Sequence, residues 1–94
     1  MKEANLVIGL VFAMEGLASL YVKQGEFQHA VLLFAWSDAT RDRMGDTRPP
    51  VEQASIEQDW ATARLDMGDL EFTSLLAEGK RMTLEEIVSL ALHE

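Results

Sequence analysis

Apolar side chains recur along this chain at helical rather than alternating intervals. Leu6, Val7, Ile8, Leu10, Val11, Phe12 and Met14 crowd the first segment. Phe27, Ala30, Val31 and Phe34 mark a second, and Ile56, Trp60, Ala63 and Met67 a third. No stretch alternates with period two for long enough to form a strand. Glycine and proline punctuate the pattern. Gly25 separates the first two segments, and Gly45 to Pro50 forms a loop in which Pro49-Pro50 bars helix continuation. Gly68-Asp69 reads as a helix end followed by an N-cap, and Gly79 to Met82 as a further break. Thr83 and Glu86 have the spacing of a capping box ahead of Leu84, Ile87, Val88 and Ala91. The prediction is an all-α fold forming one domain over 1–94, with five helices at about 4–24, 26–44, 51–67, 70–79 and 84–93. Connections this short make consecutive helices pack as antiparallel hairpins.

The first helix is apolar around nearly its whole circumference, so it requires cover on more than one side. Four short amphipathic helices cover one side well and a second only in part. The expectation is therefore a neighbour, either a second copy in a homodimer contacting the first helix or a missing upstream repeat. Asn5 to Val22 also approaches the ~20 residues that span a bilayer. Glu15 lies near its middle, where a carboxylate costs on the order of 2.5–3.5 kcal/mol. The Lys2-Glu3 flank lacks the cationic bias of a signal peptide. A buried helix is expected, not a membrane span.

Charge narrows the partners. Sixteen acidic and eight basic residues give a net charge of -8, which repels phosphate backbones and anionic lipid. Arg41, Arg43 and Arg48 are interleaved with Asp38, Asp42 and Asp46, and are expected to form a solvated helix end rather than a nucleic-acid patch. There is no cysteine, so disulfides, thiolate metal sites and cysteine nucleophiles are excluded. That composition fits a reducing cytoplasm.

Hydrolytic chemistry needs a positioned base and nucleophile. His29 is expected at a rim and His93 near a fraying end. Glu85-Glu86 and the pair Asp66 and Asp69 are explained by helix dipoles, and the i, i+4 pair Asp38 and Asp42 by a solvated face with Arg41 nearby. No EF-hand spacing is present. No catalytic, cofactor-binding or metal-binding residue is assigned. Trp36 and Trp60 are the better candidates for functional side chains, as core residues or as aromatic anchors in a groove.

Residues 17–34 carry a more specific spacing. Leu17-Ala18, Tyr21, Gly25, Ala30 and Phe34 stand where a tetratricopeptide repeat has its Leu-Gly, Tyr, Gly, Ala and Phe, and Ser37 where it has a third small residue. Met14 replaces the large aromatic and Asp42 the closing Pro. Further blocks are Glu15-Gly16-Leu17-Ala18, Gln24-Gly25, Ala30-Val31-Leu32-Leu33-Phe34 and Pro49-Pro50-Val51-Glu52. The closing run is Glu78-Gly79-Lys80-Arg81-Met82-Thr83-Leu84-Glu85-Glu86-Ile87-Val88. Together they resemble the C-terminal end of the helical-repeat region in bacterial LuxR-type and related signal-transduction ATPases. The resemblance implies a tetratricopeptide-like module in a transcriptional regulator that receives a protein partner. Its binding face would draw on Met14, Leu17 and Tyr21. No phosphate-binding Gly-Lys-Ser/Thr loop is present, so ATPase and DNA-binding activities do not carry over. A self-associating structural module is the alternative. A deep cavity lined by Trp36 and Trp60 would favour a small-ligand binder instead.

Overall fold

A computed structural model describes residues 2–92. Five helices account for almost all of them: α1 (Lys2–Lys23), α2 (Phe27–Met44), α3 (Pro50–Met67), α4 (Asp69–Arg81) and α5 (Leu84–Leu92). The all-α class and the number of helices follow the sequence pattern.

The turns explain the boundaries. At the end of α1 the Glu26 N–H donates to the Tyr21 carbonyl at 2.8 Å and the Gly25 N–H to that of Val22 at 3.1 Å. This is a Schellman closure, and it places Gly25 at φ +80°, where a side chain would be strained. α2 ends the same way, with the Asp46 N–H on Arg41 at 2.9 Å and Gly45 left-handed. Pro50 opens α3, where its missing N–H removes no helical bond. At the start of α5 the Thr83 N–H donates to Glu86 Oε1 at 2.8 Å, and the Glu86 N–H to Thr83 Oγ at 3.1 Å, so the capping box is formed.

Two expected features differ. Asp69 is the first residue of α4 rather than its cap, a position that Gly68 takes. Gly79 does not break α4, which runs on to Arg81. It is buried against α2, and a Cβ there would lie 2.7 Å from Leu32 O and 2.7 Å from the Ala35 Cβ. The glycine is required by close packing of two helices, and the helix ends two residues later.

The central element is α2. Its residues Ala30 to Ser37 are all buried, with α1 on one side and α4 on another, and α3 and α5 adding smaller contacts. The all-round apolar first helix therefore occupies the edge, while a helix with polar ends sits in the middle. Ser37 and Thr40 tolerate this burial because each hydroxyl donates to a carbonyl one turn back, at 2.9 and 2.8 Å. Consecutive packing also fails between α2 and α3, which touch far less than α2 and α4 do. One core joins Val11, Met14, Ala18 and Tyr21 of α1 to Ala30, Leu33, Phe34 and Trp36 of α2, with Ile56 and Ile87 closing it. A second joins Val31, Ala63 and Phe72, and Trp60 packs against both.

Candidate functional site

The face of α1 that meets α2 is the stripe Val11, Met14, Ala18 and Tyr21, spaced three, four and three. The opposite face repeats the logic. Leu6, Gly9, Ala13, Gly16 and Leu20, spaced three, four, three and four, are all exposed, as is Phe12 beside them. Leu6 is 73 % exposed, and Phe12 and Leu20 are each 48 % exposed. Positions half a turn apart explain how one helix carries two apolar stripes. From Leu6 to Leu20 the outer stripe holds no charge, and its centre is built from glycine and alanine. A second helix can approach such a surface closely, near the lower end of the ~8–10 Å interaxial range.

Glu15 sits at the edge of the inner stripe and is 8 % exposed. Arg41 clasps it with two bonds, Nε to Oε2 at 2.8 Å and Nη2 to Oε1 at 2.9 Å. Arg48 adds Nη2 to Oε2 at 2.5 Å and Nε at 3.1 Å. The remaining donors go to Asp46 from Arg41, and to Asp38 at 2.6 Å and Gln53 at 2.7 Å from Arg48. Burial alone would raise the Glu15 pKa, but the bonds and charges of the two arginines outweigh it and hold the carboxyl below its ordinary range. The same contact holds Arg41 above its ordinary value. Arg41 and Arg48, at 3 % and 7 % exposure, are thus not a solvated helix end but the counterions of a buried carboxylate. Arg41 also lies 5.0 Å from the centre of the Phe12 ring.

The expected binding residues are not brought together on one surface. Met14, Tyr21 and Trp36 are buried in the first core and Leu17 is half-buried against it, so the residues drawn from the repeat resemblance are occupied by the chain's own α2 and its neighbours. The accessible face of α1 is the opposite one. Trp36 and Trp60 do not share a cavity. Trp36, 2 % exposed, forms part of the wall of a groove of about 500 Å³ with Val7, Arg43, Arg81 and Met82. Trp60 borders a cavity of about 220 Å³ with Arg64 and Phe72. Its Nε1 is buried without a hydrogen-bond partner among the described residues. His29 is half-buried, its ring centre 5.3 Å from that of Tyr21. His93 lies outside the described residues. No cluster of three metal-ligating side chains occurs among the described residues.

The outer α1 stripe could have been found in the sequence by separating the two apolar periodicities of the first helix. The clasp had one signal, a lone carboxylate inside an apolar run, which demands a counterion when buried. No family model, no curated protein and no solved structure matches this chain.

Proposed function

We propose that this chain is a cytoplasmic protein–protein interaction module without catalysis of its own, working as the tetratricopeptide-like repeat region of a bacterial transcriptional regulator would. One observation carries the reading: the uncharged outer stripe of α1, in which three large apolar side chains flank Gly9, Ala13 and Gly16 in solvent. Burying each large side chain would contribute roughly 1.5–3 kcal/mol, enough to reward a partner helix. The segment Leu6–Lys23 is long and apolar enough to cross a membrane, with mean hydropathy 1.7. Spanning one would pull Glu15 from its two arginines and strand its carboxylate in hydrocarbon, so a protein partner is favoured over lipid. Direct nucleic-acid binding is disfavoured by the net charge of -8.

A specific observation also favours self-association. Read in either direction, the stripe is Leu, Gly, Ala, Gly, Leu. Two antiparallel copies related by a two-fold axis at Ala13 would set Leu6 against Leu20 and Gly9 near Gly16, the self-complementarity that an isologous contact needs. Sedimentation equilibrium at micromolar concentration tests this. The expected result is a dimer that Ala13→Glu, a change at an exposed position, converts to a folded monomer. A parent chain that sediments as a monomer removes self-association. The wider reading is tested by a photo-cross-linking residue at position 13 in cells, with exposed position 61 on α3 as control. It fails if position 13 yields no more protein adducts than position 61.

A further inference from the structure

The end of α2 and the junction between α4 and α5 border an open groove of about 500 Å³ that Trp36 helps to wall. Its size lies within the roughly 300–1,000 Å³ of small-molecule sites. Val7, Trp36, Met82 and Leu84 make its lining largely apolar, and methionine adapts to irregular apolar shapes. Two arginines, Arg43 and Arg81, line the same space.

Those two arginines are the unusual part. The chain has twice as many acidic as basic residues. Arg41 and Arg48 are engaged by Glu15, and Arg64 by Asp69 at 2.6 Å. Arg43 and Arg81 are the arginines that form no ion pair among the described residues, and both stand at one apolar groove. Among the described residues Arg43 makes one side-chain bond, from Nη2 to Thr40 Oγ1 at 3.3 Å, which occupies one of its five donors. In an acidic protein, two uncommitted guanidiniums beside a hydrocarbon-lined space complement one ligand chemistry: an anionic head of carboxylate geometry on an apolar body. A phosphate or a nucleic acid would not use the apolar walls.

We propose that this groove binds a small amphipathic carboxylate, its apolar part against Trp36, Met82 and Leu84 and its head held by Arg43 and Arg81. The site is separate from the outer α1 stripe, since Val7 is the one described α1 residue in its wall.

Decanoate is the probe, titrated into the full chain by calorimetry, and by Trp36 fluorescence in a Trp60→Phe background. Saturable binding at concentrations below those at which decanoate self-assembles is expected. Decanol, with the same chain and no charge, should bind about tenfold more weakly or less, and Arg43→Gln and Arg81→Gln should each weaken decanoate by roughly tenfold, which is about 1.4 kcal/mol. Both arginines are exposed, so both variants should keep the parent's circular dichroism. Ala13→Glu should leave decanoate affinity unchanged whatever it does to association. The proposal is overturned if decanoate does not saturate, if decanol binds as tightly, if both arginine variants retain parental affinity, or if Ala13→Glu abolishes binding and so places the ligand on α1.

Discussion

Gly79 of α4 lies so close to Ala35 of α2 that a Cβ added to the glycine would stand 2.7 Å from the alanine's own. The Leu32 backbone is equally near, so neither neighbour can swing aside as a flexible side chain would. Gly79→Ala sets two effects in opposition. Helix propensity favours alanine by about 1 kcal/mol. Overpacking disfavours it by roughly 1–3 kcal/mol, and sterics against backbone should prevail. Urea denaturation should show net destabilisation, with exposed Glu78→Ala as a near-silent control. A gain in stability would mean that α2 and α4 are farther apart than described.

Ala30 and Ala18 are both fully buried in the seam between α2 and α1. Ala30→Leu should destabilise by roughly 1–3 kcal/mol, because added methylenes have no space there. The same change at exposed Gln28 should cost much less. Equilibrium unfolding of the two variants side by side decides it, and an Ala30→Leu protein as stable as its parent would argue against a tight α1–α2 hairpin.

Gly25 adopts φ +80° with nothing within 4 Å of the place a Cβ would take. Space is therefore not the obstacle, and conformation is. Gly25→Val should cost more than the ~1 kcal/mol of a simple glycine-to-alanine exchange, since a β-branched residue resists the left-handed region. Thermal unfolding at fixed protein concentration reads this, and an unchanged midpoint would be incompatible with the turn.

Glu15 makes stability depend on acid. Bonds and charges from Arg41 and Arg48 hold its folded pKa below the ordinary glutamate value. The unfolded chain therefore takes up the proton first, and the contribution of the clasp is present above that value and lost as pH falls through the lowered folded pKa. Unfolding midpoints should drop on acidification below about pH 4.5, and Glu15→Gln should flatten that dependence. At neutral pH the substitution removes the anion that two buried guanidiniums share and leaves each with one partly exposed aspartate, a loss of up to about 3–5 kcal/mol. A variant with the parent's stability at pH 7 would refute the clasp.

The five helices were legible because local chemistry sets their ends: Gly25, Gly45 and Gly68 at turns, Pro50 at a start, Thr83 with Glu86 at a cap. Long-range facts were not. Arg41 and Arg48 meet Glu15 across 26 and 33 residues, and in sequence they stand among aspartates that suggest solvent. Gly79 reads as a helix break because no local pattern distinguishes a glycine that ends a helix from one that lets another helix approach. The central position of α2 was hidden for a related reason. Apolar content identifies helices that need cover, and α1 has more of it, but the order of packing depends on where small residues allow contact. For the candidate site, the apolar pattern identifies Met14 and Tyr21 on α1, while the face left in solvent is the other one.

The clasp has a consequence for how α1 is oriented. Turned by half a revolution about its axis, α1 would offer Leu6, Phe12 and Leu20 to α2 in place of Val11, Met14 and Tyr21. Hydrophobic burial is non-directional and discriminates little between two such stripes. The ion cluster does discriminate, because the turned helix would carry Glu15 away and take from Arg41 and Arg48 the buried carboxylate they share, leaving each with one partly exposed aspartate, Asp46 and Asp38. A single carboxylate thereby fixes the rotational phase of a helix that apolar packing alone leaves ambiguous, and it decides from inside the fold which surface the chain shows to everything outside it.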